Sequence, residues 1–281
     1  MVEKLVESIV GDLTESIRGQ KDLLSLSLVG SFSDPNKRLE SSNDLDFVFI
    51  YNQINLEIMG RLKEVAKILK EKYSSSETEV NYTFKIGPIK LPSKKQKNLL
   101  IHFLVYSKDS YFQYESILTR YSFQHYLPLL GLPLKSINNF ESVINIDIFN
   151  EIDGIPAIKS WINKKKVAYL EPKSDGFEIK ESILDNDLYL EVIFYSILWL
   201  SNNILRIFGE YYPDIDKSMC ERFKQRILIE MGDFPLKIYL YKKKMRSKIK
   251  ISKKEADKIK SGAIKFISQC EAYLRENLSK K

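Results

Sequence analysis

The sequence predicts an α+β chain, a sheet flanked by helices in the N-terminal half followed by an α-helical domain. Three observations predict it. Short apolar runs bounded by polar stretches, Leu26 to Val29, Asp44 to Ile50, Glu79 to Ile89 and Asn98 to Tyr106, have the length and composition of strands. Segments with apolar residues at helical spacing precede and separate them. Beyond about Asp187, only the helical period remains.

The elements follow in order. Val2, Leu5, Val6, Ile9, Val10, Leu13 and Ile17 repeat at helical spacing and predict an amphipathic helix packed on the coming sheet. The polar run Arg18 to Asp22 leads into the first strand, which ends in the turn Gly30-Ser31. A polar loop then connects to a strand carrying Asp44 and Asp46. The next helix, Leu56 to Tyr73, places Ile58, Leu62, Val65, Ile68 and Leu69 on one face. Two strand-like runs follow, joined by Leu91-Pro-Ser-Lys-Lys-Gln-Lys97.

The stretch from Tyr111 to Leu134 is rich in aromatic residues (Tyr111, Phe112, Tyr114, Tyr121, Phe123, Tyr126), which suit either ordinary packing or a wall for base stacking. Pro128, Gly131 and Pro133 mark a boundary or bend. From Ser136 to Asp175 the chain mixes apolar pieces with a turn at Asp153-Gly154-Ile155-Pro156 and the triplet Lys164 to Lys166. Helices are expected over Leu188 to Leu200, Ser218 to Met231 and Lys253 to Asn277. The first of these is too short and too interrupted to span a bilayer, so it reads as a buried core helix and no membrane partner is expected. The domain reading is therefore 1–134, a connector over 135–180, and a helical domain over 181–281.

The chemistry concentrates between Leu26 and Ile50. Side chains alternate along a strand, so Asp44 and Asp46 share a face while Leu45 and Phe47 take the other. Two adjacent carboxylates repel and call for a cation or a shared proton. Hard oxygen ligands on a rigid strand suit Mg²⁺, or Mn²⁺, together with substrate phosphates. On this reading the double replacement Asp44→Ala with Asp46→Ala leaves stability unchanged or raises it. Glycine at position 30 lets the backbone approach a ligand, and the amides and hydroxyls of Ser31 and Ser33 can donate to phosphate oxygens, with Lys37 and Arg38 in the same loop.

Gly30-Ser31, the loop, and Asp44-Leu45-Asp46 within an apolar strand resemble the signature of the DNA polymerase beta nucleotidyltransferase superfamily. The resemblance implies a mixed sheet flanked by helices. It implies transfer of a nucleotidyl group from an NTP to a hydroxyl acceptor, with Asp44 and Asp46 as catalytic metal ligands and Gly30, Ser31, Ser33, Lys37 and Arg38 on the nucleotide. The acceptor, a small molecule, an RNA or a protein, is left open. In the family a hairpin follows, whose last strand carries a third carboxylate that helps bind the metal and can take the proton of the attacking hydroxyl. Here the matching position is His102. Three readings stand. His102 serves as base or as ligand for a softer metal; the protein binds nucleotide or RNA without turnover; or another acid serves, Glu79 and Asp109 being nearest. Beside these stands the plain reading of a hydrogen-bonded core histidine.

Composition sets the remaining bounds. The 281 residues suffice for one large or two ordinary domains. Tyr241 to Lys260 holds ten Lys or Arg against two acidic residues, a local +8 in a chain of net +7, so the rest sums to −1. Lys242, Lys243, Lys244 and Arg246 can contact a nucleic-acid backbone, or form a solvated face. Two cysteines, Cys220 and Cys270, cannot build a zinc cluster; they point to a reducing compartment or else pair in one disulfide. Acidic residues break any signal-like stretch at the N-terminus, so a cytoplasmic protein is expected. Dinucleotide fingerprints, Gly-x-x-x-x-Gly-Lys loops and His-Glu-x-x-His are absent from the sequence, and two histidines leave little for a histidine-based triad.

Overall fold

The computed structural model describes residues 2–33, 44–85, 97–115, 126–137, 148–173, 176–210, 212, 215–247 and 249–278. The chain divides into two compact units, Met1–Phe140 with Tyr169–Lys180, and Glu141–Ala168 with Glu181–Lys281. The stretch 135–180, expected as a connector, is thus shared between the two units.

In the first unit, helix α1 (Val2–Ile17) leads into strand β1 (Leu23–Val29), a single 3-10 turn (Gly30–Phe32) and strand β2 (Asp44–Tyr51). Helix α2 (Leu56–Tyr73), β3 (Thr78–Thr83), β4 (Lys97–Ser107), helix α3 (Lys108–Glu115), β5 (Tyr126–Gly131) and the short α4 (Leu134–Ile137) follow. The five strands form one mixed sheet in the order β3-β4-β2-β1-β5. β1 runs antiparallel to β2 and β5, whereas β4 is parallel to both β2 and β3.

The alternation of side chains explains what each face does. Leu45, Phe47, Phe49 and Tyr51 of β2 join Leu99, Ile101, Phe103 and Val105 of β4 in one core with Val6, Ile9 and Leu13 of α1 and Leu62, Ala66 and Leu69 of α2. Phe49 stacks on Phe103 with ring centroids 5.4 Å apart. The other residues of the same strands, Asp44, Asp46 and His102 among them, lie on the opposite face.

Three expectations change. The run after α2 does not return as a hairpin: Thr78 to Thr83 registers in parallel with Lys97 to His102. β5 is a strand despite Pro128. It lies at the sheet edge, and its register slips between Leu26 and Ser27 of β1 at Pro128, where a missing N–H is tolerated. The third change falls at Asp153-Gly154-Ile155-Pro156, which is not a turn but lies inside helix α5 (Ile148–Lys164). Ile152, Ile155, Ile158 and Ile162 are buried along one face of α5, and this packing outweighs the hydrogen bond that Pro156 removes. Among the aromatic residues, Tyr111 is fully buried and packs edge-on against Tyr106 at 5.4 Å; Tyr121 and Phe123 lie outside the described residues.

The second unit is helical. After α5 come the hairpin strands β6 (Lys166–Lys173) and β7 (Gly176–Ile183), whose tip belongs to the first unit, then α6 (Asn186–Ile207), α7 (Lys217–Arg226), α8 (Phe234–Arg246) and α9 (Lys253–Leu278). α6 is the central helix and packs on α5, α7, α8 and α9. At 22 residues it is longer than the expected Leu188 to Leu200 and, contrary to that reading, long and apolar enough to cross a membrane, but most of it is buried within the bundle. Asp185 caps it by accepting from the Leu188 amide at 2.9 Å. Replacing Asp185 with Ala should cost about 1 kcal/mol, read as a shift in the urea midpoint of the tryptophan signal, because Trp161 and Trp199 both lie in this unit.

Two polar features of this bundle are not visible in the sequence pattern. Glu151, 1% exposed, accepts from the Asn203 side-chain amide at 3.0 Å. Burial and the charge of Glu151 push the Cys270 thiol up. Burial likewise pushes the Cys220 thiol up, to about 12. Both cysteines are free, buried and thereby inert.

Candidate functional site

The site is built on the face of the first-unit sheet opposite α1 and α2. β1 ends at Val29, which registers with Asp46, and the chain then turns at Gly30 with φ of 75°. Only glycine takes that conformation without strain. Phe32, 4% exposed, anchors the turn in the core, and the amide and hydroxyl of Ser33 both donate to the Gly30 carbonyl, at 3.2 and 2.8 Å. A second constraint acts on the same glycine. A Cβ placed on Gly30 would lie 2.6 Å from Oδ2 of Asp46, so the carboxylate rests directly against the glycine backbone.

Asp46 is held from its other side by His102. The two residues are register partners on β2 and β4, and His102 Nδ1 lies 2.9 Å from Asp46 Oδ1. The second ring nitrogen, Nε2, donates to the Lys85 carbonyl at 2.6 Å. A carbonyl only accepts, so Nε2 carries a proton; an ionised Asp46 also only accepts, so Nδ1 carries one as well. His102 is therefore an imidazolium paired with a carboxylate. Burial pulls its pKa down, but the hydrogen bond and charge of Asp46, the Lys85 carbonyl and the charge of Asp44 outweigh burial and raise it above the usual histidine range. Asp44 stands two residues earlier on the same face, at the register level of Leu100.

Lys85 also turns its side chain to the hairpin. Its Nζ donates to the Tyr169 hydroxyl at 3.2 Å and lies 4.5 Å from that ring's centroid. Thr83, the β3 partner of His102, accepts from the Lys85 amide at 3.2 Å and so fixes the carbonyl that orients the imidazole. The sequence does not single out these supporting groups, because a carbonyl carries no residue signature.

The sequence-predicted residues thus divide. Gly30, Asp46 and His102 are brought into contact, Asp44 stands beside them, and Ser31 is the middle residue of the turn. Ser33 spends its donors on closing the turn. Lys37 and Arg38 lie outside the described residues. Neither alternative acid reaches the site. Glu79 registers with Asn98, four residues before Thr83, or about 13 Å along the strand from the level of His102, and it sits one strand further out. Asp109 opens α3, beyond the end of β4 that registers with Tyr51. Among the described residues no three His, Cys, Asp or Glu side chains already converge on a single metal position.

In the second unit, Lys243 and Lys244 are exposed, with Nζ 5.2 and 5.4 Å from the ring centroids of Tyr239 and Tyr241. Lys242 is half-buried, and the side chain of Arg246 lies outside the described residues. Compared with protein-family models and with curated protein sequences, the chain matches none.

Proposed function

We propose that this chain is a metal-assisted nucleotidyltransferase, acting in the cytoplasm, that uses the Gly30-Ser31 turn for the phosphates of an NTP and Asp44 and Asp46 for Mg²⁺ or Mn²⁺. One observation carries the reading. The carboxylate of Asp46 lies against the backbone of a positive-φ glycine, with Asp44 on the same face of the strand. This contact sets two carboxylates beside a backbone that a phosphate can approach closely.

The donor set fits a divalent cation on one condition. His102 must release its Nδ1 proton, because an imidazolium neither ligates a cation nor accepts a proton. With Nε2–H held by the Lys85 carbonyl, Nδ1 is the only ring atom left to offer, and the carbonyl is the kind of partner that metal-bound histidines have. Two carboxylates and an imidazole suit Mn²⁺ better than Mg²⁺. A bound cation would screen the phosphate charge while the acceptor hydroxyl attacks the α-phosphorus, the α–β phosphoanhydride bond breaks and pyrophosphate leaves. The chain's own part is to hold the two carboxylates, orient the imidazole and present the turn.

The second reading, nucleotide binding without turnover, is favoured by the same ion pair, because His102 engages Oδ1 of Asp46 while Oδ2 rests against Gly30. Calorimetric titration with each NTP tests what the two readings share, in Mg²⁺ and then in Mn²⁺, for the wild type and for the Asp44→Ala, Asp46→Ala variant. The expected result is metal-dependent binding, tighter with Mn²⁺ and lost by more than about tenfold in the variant. Transfer of label from α-labelled NTP to an acceptor then establishes catalysis. No binding of any NTP with either metal would overturn both readings.

A further inference from the structure

We infer that the α8–α9 corner of the helical unit binds the phosphodiester backbone of a nucleic acid. The inference goes beyond the nucleotide site and does not depend on it. α8 and α9 run antiparallel. At one end Phe234 of α8 packs against Phe266 at 5.6 Å and so close to Gly262 that a Cβ there would lie 2.6 Å from its ring. At the other end Lys244 reaches Glu255 at 3.7 Å. This arrangement brings the C-terminal lysines of α8 and the N-terminal lysines of α9 to one corner.

The two groups of lysines differ in what folding asks of them. Lys242 to Lys244 sit near the C-terminus of α8, where cations oppose the negative end of the helix dipole and favour the helix. Lys253 and Lys254 occupy the first turn of α9, where cations face the positive end and weaken the helix. The α9 start is instead secured by a capping box, in which the Ser252 amide donates to Glu255 Oε2 at 2.9 Å and the Glu255 amide donates to Ser252 Oγ at 3.3 Å. One of the two acids in the basic segment is thereby committed to the cap. Lys253, Lys254 and Lys258 are exposed, pair with no acid among the described residues, and line a shallow depression with Asp257 and Ser261.

The chemistry of the patch selects the partner. It presents ammonium groups as point charges, which neutralise phosphates without reading sequence. Tyr239 and Tyr241 already carry lysine ammonium groups close to their rings, so base stacking is not the mode of binding. A membrane-surface helix needs a continuous exposed apolar stripe; in α9 the stripe of Ile259, Ala263, Phe266, Ile267, Cys270 and Leu274 is buried.

The test is fluorescence anisotropy of the full chain with labelled RNA and DNA duplexes of one sequence, across a salt series. The comparison is with the triple charge reversal Lys253→Glu, Lys254→Glu, Lys258→Glu. A control variant, Lys63→Glu with Lys67→Glu on α2, has the same kind of exposed reversal elsewhere, and circular dichroism checks that each variant is folded. Affinity should fall linearly with log salt concentration. The triple reversal should lose more than about tenfold and flatten that slope by about 3, whereas the control keeps the slope. Equal binding of RNA and DNA supports backbone recognition as stated, and preference for one of them identifies its source. The inference is overturned if no nucleic acid binds at low salt, if the triple reversal binds as well as the control, or if only vesicles containing phosphatidylserine bind.

Discussion

Gly30→Ala should destabilise the first unit by about 3 kcal/mol and abolish nucleotide binding with it. Two costs combine. A side chain at φ of 75° costs about 1–2 kcal/mol. A Cβ 2.6 Å from Asp46 Oδ2 also forces the carboxylate away from His102, giving up a charge-assisted hydrogen bond worth about 1.5–3 kcal/mol. The second cost exists only while Asp46 is present. In an Asp46→Ala background, Gly30→Ala should therefore cost only the backbone share of about 1–2 kcal/mol. Amide hydrogen exchange of β1, β2 and β4 is the measurement, because Trp161 and Trp199 lie in the other unit and fluorescence would not report on this sheet. Equal costs in both backgrounds would mean that the glycine and the carboxylate are not in contact, and the case for a ligand-approaching turn would go with it.

The same contact revises an expectation drawn from charge alone. Two carboxylates side by side suggest a strained pair whose removal is harmless or stabilising. In the structure Asp46 is one end of an ion pair with His102, so replacing it removes an attraction as well as a repulsion, and the double replacement should destabilise the sheet. The sequence pattern locates the carboxylates correctly because alternation along a strand is local geometry. It does not reveal that the neighbour across the strand is a cation, because that depends on the parallel pairing of β2 with β4 and on where Lys85 leaves its carbonyl.

Legibility follows the same division elsewhere. α2 spans Leu56–Tyr73 as expected and buries Leu62, Val65 and Leu69, but Ile68, expected on the same face, is 54% exposed while Met59 and Ala66 are buried; α9 begins at Lys253 behind a Ser-x-x-Glu capping box. β5 and α5 are not legible, since each contains a proline that local rules place at a boundary. Edge position and bulge accommodate Pro128, and the buried face of α5 accommodates Pro156. Such overrides come from tertiary packing, which no window of sequence contains. The antiparallel corner of α8 and α9 is a similar case, because the charge run is plain in the sequence while the convergence of its two halves is not.

His102→Leu should destabilise the sheet by about 2 kcal/mol and remove its pH dependence above neutrality. The replacement leaves the Lys85 carbonyl without its imidazole donor and Asp46 without its cation. The usual cost of breaking a buried pair, about 3–5 kcal/mol, is reduced because the Asp46 side chain retains 23% exposure and can recruit water. The pH dependence has a definite sign. The pKa of folded His102 is raised above the ordinary 6.5, so the folded state holds a proton that the unfolded chain gives up first. The stabilisation from the pair is fully present below the unfolded value and is lost as pH rises through the folded one. Protection factors in β2 and β4, which normalise intrinsic exchange, should fall for the wild type as pH rises above the ordinary 6.5 and stay level for His102→Leu. His102→Gln separates charge from hydrogen bonding: its amide can donate to the Lys85 carbonyl or to Asp46, so it should recover part of the stability while its profile stays level. A level profile in the wild type would mean that the proton between His102 and Asp46 stays fixed throughout this range. Nδ1 could then become available to a metal only by displacement of the whole pair, and nucleotide binding without turnover would be the better reading of the site.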